Sequence, residues 1–207
     1  MKSLVLVFAK TPIIGTVKTR LASKIGDKRA FWIYQKLLRK TDLALNKISN
    51  EVVVFYNGEP PTLFKKLFFT YQKKQQLGNN LGTRMQNAFK WGFDEGYKKI
   101  VIIGTDLWDI TTSLLEDAFT QLDSSDYVIG PSFDGGYYLL GCKKFNEKLF
   151  TKKNWSSPSV YEETMKEISG KSVALLGKKN DIDTLEDLNQ IPELLNALKN
   201  EFGERKV

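Results

Sequence analysis

The 207-residue chain contains no histidine and a single cysteine, Cys142. Without histidine, the chain cannot use an imidazole base, a histidine nucleophile relay or a histidine-bound zinc ion. A single cysteine cannot form a disulfide within the chain, which fits a reducing compartment. We therefore expect a cytoplasmic protein.

Long apolar runs are also lacking. No stretch reaches the roughly 18 apolar residues of a membrane-spanning helix, and the short N-terminal run has no small-residue cleavage site of a signal peptide, so we expect no membrane partner. With 42% hydrophobic residues, the chain can form one domain over residues 1–207 with a sizeable core. The net charge of +7 indicates an anionic partner. Its lysine pairs are scattered and no nucleic-acid-binding motif accompanies them, so nucleic acid is not favoured.

Short apolar runs alternate with segments of helical spacing along the chain. The strand-like runs are "LVLVFA", "EVVVFYN", "KIVIIG", "DYVIG", "YYLLGC" and "VALL". Continuous apolar strands that alternate with helices are typical of an α/β fold whose mostly parallel sheet is covered by helices on both faces. The pair "YVIGPSFDGGYYLL" breaks the alternation, because its strands share only a glycine-rich connection. It predicts an antiparallel excursion or a bend.

The loop after the first strand, "KTPIIGTVKTR", collects three cations. It lies where ligands bind in open α/β sheets, outside the carboxyl ends of the strands. Gly15 and Lys18 are separated by two residues, so the loop is not a P-loop. Lys18 and Arg20 can still supply donors to phosphate oxygens, while Gly15 lets the backbone approach a ligand. A solvated basic loop is the alternative.

A carboxylate follows the strand "KIVIIG" directly, in "TD". Asp106 is therefore expected at the carboxyl edge of a central strand, where a divalent cation could bridge it to substrate phosphates. The alternative is a turn or helix-capping residue. Ser113 with Glu116 already forms a capping-box pattern for the next helix, which favours a functional role for Asp106.

The segment "DIDT" places Asp181 and Asp183 on the same side of an extended chain. Asp183 with Glu186 also fits a capping box, so the motif is ambiguous by itself. Together with Asp106, the two would complete an oxygen-only site for Mg²⁺ or Mn²⁺. The segment "PSFDGG" also has two interpretations. Its glycines suit either a hairpin turn or a bend in which a sugar packs against the backbone.

Five segments occur in the order seen in one known family. They are "FAKTPIIGTVKTRLA", "NNLGTRM", "GTD", "GPSFDGGYYLLG" and "DIDTLEDL". The chain resembles the small glycosyltransferase-like proteins called radical-SAM/selenodomain-associated transferase 1, of the nucleotide-diphospho-sugar transferase superfamily. The resemblance runs from Phe8 to about Leu188 and implies a GT-A-like (Rossmann-like) fold. The family is also similar to the guanylyltransferase that acts on 2-phospholactate.

The resemblance implies a role for each matching position. Lys10, Gly15, Lys18 and Arg20 would hold nucleotide phosphates, and "LGTRM" would add Gly82 and Arg84. Asp106, Asp181 and Asp183 would hold Mg²⁺ or Mn²⁺, with Asp106 and Lys18 as the catalytic pair. The acceptor or sugar side would be formed by Asp134, Gly135, Gly136, Trp155 and Ser156. Trp108 departs from the family pattern and is predicted on the same side because its ring could narrow the acceptor pocket or stack on a ring of the ligand.

Two positions depart from the family pattern. Relatives usually carry a small residue and then proline after the central aspartate, where this chain has Leu107 and Trp108. The loop "GNNLGTRM" also lacks the acidic residues common there. Acceptor identity therefore does not transfer.

The first functional prediction is a metal-dependent GT-A-type glycosyltransferase that takes a nucleotide or nucleotide-sugar donor and a small acceptor. The alternatives are a guanylyltransferase-like nucleotidyltransferase that acts on a small phosphorylated acceptor, and a catalytically idle nucleotide-binding protein. The sequence leaves the donor base, the acceptor and the oligomeric state open.

Overall fold

The computed structural model describes residues 2–59, 61–155 and 157–203. The strands are β1 (Ser3–Lys10), β2 (Glu51–Asn57), β3 (Gln72–Gln75), β4 (Lys99–Ile103), β5 (Tyr127–Pro131), β6 (Tyr137–Cys142) and β7 (Val173–Leu175). The α-helices are α1 (Thr19–Ile25), α2 (Asp27–Leu45), α3 (Leu81–Asp94), α4 (Thr112–Ser124), α5 (Val160–Glu167), α6 (Leu185–Asn189) and α7 (Pro192–Phe202). Single 3-10 turns occur at Thr62–Lys65 and Glu147–Leu149.

The strands form one mixed sheet in the order β3-β2-β1-β4-β6-β5-β7. Every neighbouring pair is parallel except the two that involve β6, which runs antiparallel to β4 and to β5. The predicted α/β class with a mostly parallel sheet is confirmed, and "YVIGPSFDGGYYLL" is the antiparallel excursion. Because β6 is reversed, the loop between β5 and β6 lies at the edge where the parallel strands end.

Both faces of the sheet are covered, as the continuous apolar strands predict. Along β1, Val5 and Val7 pack into a core with α2 and α4, while Leu4 and Leu6 point into a core with α3. A third apolar cluster joins α1 and α2 to α6 and α7. It anchors both the start of α1 and the segment before α6 to the body of the fold.

Several elements differ from the sequence-based expectation. The helix expected after "GEPP" is only the 3-10 turn Thr62–Lys65, and the expected C-terminal helix is divided into α6 and α7, with Pro192 opening the second. Strand β3 and helix α5 were not predicted. The sequence of β3 is "QKKQ". Because β3 is an edge strand, it does not require the apolar residues by which the other strands were predicted.

Both expected capping boxes are wrong in detail. The side chain that caps α4 is Thr111, which accepts a hydrogen bond from the Leu114 amide at 3.1 Å, rather than Ser113. The box that opens α6 pairs Thr184 with Asp187 rather than Asp183 with Glu186. The capping alternative for Asp183 is thereby removed.

Within the described ranges, no helix combines the length and the apolar character needed to cross a bilayer.

Candidate functional site

A cavity of about 880 Å³ opens at the carboxyl edge of the parallel strands. Lys10 and Asn57 reach it from the ends of β1 and β2, and Asp106 reaches it from the loop that follows β4. The β5–β6 loop contributes Asp134 and Gly136. The topology therefore gathers the loops that the sequence singled out into one open space, as expected for an open α/β sheet.

Lys18 forms the centre of the polar network at this edge. Its Nζ lies 2.5 Å from Oδ1 of Asp106 and 2.9 Å from Oδ1 of Asp183. The lysine side chain is only 3% exposed, whereas the two carboxylates are 38% and 42% exposed. Lys18 does not line the cavity, but both of its partners do. The carboxylates thus stand between the buried ammonium and the open space.

The backbone of Lys18 is also unusual. It lies in the left-handed region, with φ 50° and ψ 41°, at the residue that precedes α1. Residues other than glycine are disfavoured in this region. This conformation turns the chain from the opening loop into α1, where the Lys18 carbonyl accepts a hydrogen bond from the Ala22 amide at 2.7 Å.

Burial and charge act against each other at this network. Burial alone would lower the pKa of the Lys18 ammonium, but the attraction of Asp106 and Asp183 outweighs it and the pKa lies above its usual value. For Asp183, burial would raise the pKa, yet the neighbouring Lys18 holds it below its usual value. Lys18 and Asp183 are therefore a charged pair over the neutral pH range.

Asp181 stands in a different electrostatic position. Burial, followed by repulsion from Asp106, raises its pKa to about 7. Its contact is with Ser132, whose Oγ donates to Oδ2 over 3.4 Å. The segment is held in place because the Ile182 amide donates to the Asp106 carbonyl at 3.0 Å. Lys18 thus contacts two of the three carboxylates, Asp106 and Asp183, while Asp181 lies beside them without an ion pair to it.

The structure brings most of the predicted site residues to the cavity. Besides the acidic group, the lining includes the cations Lys10, Arg20 and Arg84, together with Asp134, Gly136 and Trp155. Arg84 is oriented by the hydrogen bond from its Nε to the Gly78 carbonyl, 2.9 Å long. The cavity is therefore lined by both cations and carboxylates, and Lys10 and Arg20 add to the lowering of the Asp183 pKa that Lys18 causes.

Other predicted residues lie outside the cavity lining. Gly15 is exposed on the opening loop, with φ +82°. A Cβ at Gly135 would stand 2.1 Å from the Pro158 carbonyl oxygen, so this glycine permits close packing of two loops. Trp108 faces away, toward α7, where its Nε1 donates to Glu193 and Lys40 lies 4.6 Å above its ring. Gly82 is buried behind the wall, and Ser156 lies outside the described residues.

Sequence reasoning missed several lining residues, among them Tyr34, Asn57, Gln76, Thr105 and Tyr138. Asn57 ends β2 just as Asp106 follows β4, so the same rule about strand ends would have found it. Tyr34 carries the helical spacing of a core residue. In the structure its hydroxyl accepts from the Lys10 amide and donates to the Lys10 carbonyl, each at 2.9 Å, which fixes the end of β1.

The residue types suit a divalent cation, but their present arrangement does not form a cage. In the part of the chain that the structure describes, no group of three or more acidic or cysteine side chains is positioned to hold a metal ion. Asp106 and Asp183 converge instead on the Lys18 ammonium. Carboxylate oxygens are nevertheless the type of donor that Mg²⁺ and Mn²⁺ prefer.

Comparison with known proteins places the chain among transferase folds. A family model described as "Uncharacterized protein conserved in bacteria (DUF2064)" matches residues 41–157. A structure from Desulfovibrio desulfuricans G20, described as a candidate nucleotide-diphospho-sugar transferase, is 32% identical and has a TM-score of 0.87. That match covers 100% of this chain and 92% of the other. A search of curated proteins found no match.

Two more distant structures share the fold alone. The 4-diphosphocytidyl-2C-methyl-D-erythritol synthase of Anaerococcus prevotii is 10% identical with a TM-score of 0.63, over 94% of this chain and 96% of that one. Rv0371c of Mycobacterium tuberculosis H37Rv, solved in complex with manganese, is 12% identical with a TM-score of 0.52, over 95% and 100% of the two chains.

Proposed function

Because this chain belongs to the DUF2064 family, we propose that it is a transferase whose cavity binds a nucleotide or nucleotide-sugar donor. One observation carries the proposal: Lys18, Asp106 and Asp183 form a single charge network at the cavity floor, where the parallel strands end. Acids and cations that meet at this edge suit a ligand that carries both phosphate and a metal ion. The 32% identical relative, described as a candidate nucleotide-diphospho-sugar transferase, supports the same class.

The residues divide into two functions. Lys10, Arg20 and Arg84 form the basic side of the cavity and would bind and orient the donor phosphates, since guanidinium and ammonium groups match phosphate oxygens. Asp106 and Asp183, with Asp181 beside them, would hold Mg²⁺ or Mn²⁺. When bound, such a cation neutralises charge that develops on the phosphate oxygens. A chain without histidine can run this chemistry, because positioning and electrostatic stabilisation supply most of it.

The acceptor would bind on the opposite side of the donor. Asp134 and Gly136 from the β5–β6 loop and Trp155 from the segment before α5 line that wall. Trp108 is not part of it, since its ring packs toward α7. We therefore assign the acceptor side to Asp134, Gly136 and Trp155, and we assign Gly135 the supporting role of holding the loop against Pro158.

Glycosyl transfer is the first candidate reaction, because the 32% identical relative is described as a candidate nucleotide-diphospho-sugar transferase. It forms a bond between the anomeric carbon and an acceptor oxygen, breaks the bond between that carbon and the phosphate oxygen, and releases a nucleoside diphosphate and the proton of the acceptor hydroxyl. Nucleotidyl transfer is the second candidate, favoured by the fold of the cytidylyl-transferring synthase. It joins the α-phosphorus to a phosphorylated acceptor and releases pyrophosphate.

One ligand panel tests the proposal. Thermal unfolding is measured with each nucleoside triphosphate and with UDP-, GDP-, ADP- and dTDP-sugars, with and without Mn²⁺. A ligand that binds only the folded state raises the melting temperature by mass action. We expect a Mn²⁺-dependent rise for one nucleotide class. A preference for sugar nucleotides supports glycosyl transfer, and a preference for triphosphates with pyrophosphate release supports nucleotidyl transfer. Binding without turnover of any acceptor would indicate an idle binding protein, and no rise at millimolar ligand would refute nucleotide binding.

A further inference from the structure

Two amide side chains lie next to each other at one end of the cavity. Asn57 ends β2 and Gln76 directly follows β3, and both residues line the cavity. Because the parallel strands β2 and β3 pair Tyr56 with Gln75, Asn57 and Gln76 occupy the next level of two strands that run about 4.8 Å apart. The proposed function gives neither residue a role.

Backbone groups fix the orientation of both amides. The Nε2 of Gln76 donates to the carbonyls of Ala9 and Phe55, at 3.2 and 3.0 Å. A carbonyl only accepts, so the nitrogen must face these groups and the acceptor Oε1 is left over. The Oδ1 of Asn57 accepts from the Thr11 amide at 2.9 Å, which leaves the donor Nδ2. Among the described residues, neither Gln76 Oε1 nor Asn57 Nδ2 has a hydrogen-bond partner. One donor and one acceptor are therefore available to a ligand.

Apolar side chains accompany the two amides. Leu81 opens α3 a short loop after Gln76, and it lines the cavity together with Phe8. Phe8 pairs in register with Phe55, whose carbonyl holds Gln76. Leu81 is 41% exposed, so it offers apolar surface that a ligand can cover. A nucleobase combines flat faces, which stack on such surfaces, with an edge of hydrogen-bond donors and acceptors.

The charges along the sheet edge follow the order of the parts of a nucleotide. The strands run in the order β3, β2, β1 and β4. The uncharged amides of Gln76 and Asn57 follow β3 and β2, the cation Lys10 ends β1, and the carboxylate of Asp106 follows β4. The base is the uncharged end of a nucleotide, so it fits the uncharged end of this edge. The phosphates then lie at Lys10, beside the carboxylates.

We propose that Asn57 and Gln76 recognise the nucleobase of the donor. Asn57 Nδ2 donates to an acceptor on the edge of the base, and Gln76 Oε1 accepts from an amino group or ring N–H next to it. This inference rests on the proposed function, since it supposes a nucleotide. With the phosphates held at Lys10, a base whose edge does not match leaves one amide unpaired, and such a mismatch is rejected strongly. The two residues therefore determine specificity.

Two variants each remove one of these groups and keep the contacts to the backbone. Asn57→Asp retains an oxygen for the Thr11 amide but replaces the Nδ2 donor with an acceptor. Gln76→Lys retains a donor for the two carbonyls but removes the acceptor. The variants change the charge in opposite directions, so an effect on phosphate binding differs in sign between them. Gln75→Ala is the matched control, because Gln75 donates to the Gly58 carbonyl at 3.2 Å and does not line this cavity.

The first measurement is a calorimetric titration with ADP, GDP, CDP and UDP, each with Mn²⁺. These probes contain the base and phosphates common to nucleoside triphosphates and diphosphate sugars. We expect wild type and Gln75→Ala to prefer one base over the weakest by about tenfold or more. Both cavity variants should bind the four diphosphates with most of that preference lost, and melting curves confirm that they are folded.

Three results would overturn the inference. They are equal affinity of wild type for the four bases, a preference that persists in either folded variant, and loss of all nucleotide binding in a folded variant, since the phosphate contacts do not involve these residues. Failure of every nucleotide in the ligand panel to bind wild type would refute the proposed function instead. Nucleotide binding without base recognition would refute only the inference.

The second measurement uses the wild-type protein alone, so it does not depend on the folding of a variant. The preferred diphosphate is compared with an analogue that lacks the donors on its base edge. The analogues are the diphosphates of purine riboside for ADP, 1-methylinosine for GDP, 2-pyrimidinone riboside for CDP and 3-methyluridine for UDP. We expect affinity to fall by about tenfold, because Gln76 Oε1 loses its partner. An unchanged affinity would show that Gln76 does not accept a hydrogen bond from the base.

Discussion

Gly82, in the first turn of α3, lies directly against the indole of Trp155. A Cβ at Gly82 would stand 2.1 Å from Nε1 of Trp155 and 2.5 Å from the carbonyl oxygen of Phe150. The contact joins the helix that carries Arg84 to the segment that carries Trp155, and both of these residues line the cavity. The two walls of the cavity are thus held at a fixed distance by a residue that does not line it.

Replacing this glycine should therefore damage both stability and binding. In Gly82→Ala the added Cβ would clash with the Phe150 carbonyl. Because this is a backbone group, the start of α3 has to shift, and we expect a loss of about 1–3 kcal/mol in the free energy of unfolding. Arg84 moves with the helix, so nucleotide affinity should fall as well. Chemical denaturation and nucleotide titration check both effects. Gly177→Ala is the control, since a Cβ there has no atom within 4 Å. An unchanged Gly82→Ala protein would show that the walls are not coupled.

The carboxylate of Asp106 should be required for metal-dependent binding. Asp106→Asn keeps the shape of the side chain but removes the charge, which leaves Lys18 with Asp183 as its charged partner and weakens the set of oxygen ligands. We expect Mn²⁺-dependent nucleotide binding to fall at least tenfold in a calorimetric titration. Asp109→Asn is the matched control. Asp109 lies in the same loop as Asp106, but it pairs with Lys179 and does not line the cavity. Equal affinities for wild type and Asp106→Asn would remove Asp106 from the site.

Asp181 should make stability depend on pH between about 4 and 7. Its pKa is raised to about 7 in the folded protein, against about 3.9 in an unfolded chain. The folded state therefore holds a proton that the unfolded state has lost, and stability falls as pH rises through this window. Asp183 has a lowered pKa, so its protonation affects stability only at more acidic pH.

The variant Asp181→Asn removes this ionisation. We expect it to be nearly equal to wild type at about pH 4 and increasingly more stable as pH rises through this window, by an amount of the order of 2 kcal/mol at pH 8 given partial access to water. Urea denaturation at several pH values measures the difference. A stability difference that stays constant from pH 5 to pH 8 would rule out an elevated pKa at Asp181.

The two tryptophans implicated by the family resemblance should behave differently. Trp108→Phe loses the hydrogen bond to Glu193 and should cost about 1 kcal/mol of stability, with unchanged affinity for the donor and unchanged selectivity among acceptors. Trp155→Phe alters the cavity wall and the contact with Gly82, and should change acceptor selectivity. Turnover with a panel of small acceptors separates them. A change of selectivity in Trp108→Phe would return Trp108 to the acceptor site.

Much of this architecture could be predicted because the apolar strands are continuous. β1 and β4 are buried on both faces, so their sequences carry an unambiguous signal, and the rule about strand ends then located Asp106. β3 lies at the sheet edge with a polar sequence, and its pairing with β2 depends on backbone hydrogen bonds that leave no pattern in side-chain type. The capping residues predicted for α4 and α6 were also wrong, because threonines one or two residues away from the predicted positions cap these helices.

The relation between Lys18 and the aspartates could not be read from the sequence. Lys18 and Asp183 lie 165 positions apart, and the contact arises from the third apolar cluster, which fixes α1 beside α6. The sequence indicated a phosphate-binding lysine and metal-binding aspartates in one site, but no contact between them. Only the folded arrangement shows that one ammonium and two carboxylates form a single network.

The reversal of β6 has a consequence for how this scaffold can diversify. Residues 132–136 connect β5 to β6 as a local hairpin, and the pairing already shifts register between Gly130 and Pro131. The tip is nevertheless tied to distant segments, because the Phe133 amide donates to the Lys179 carbonyl at 3.0 Å and the Tyr161 amide donates to the Gly135 carbonyl at 2.9 Å. A change in the length of this loop would therefore be transmitted to the segment that carries Asp181 and to the start of α5, so this wall of the cavity cannot vary independently of the acidic residues.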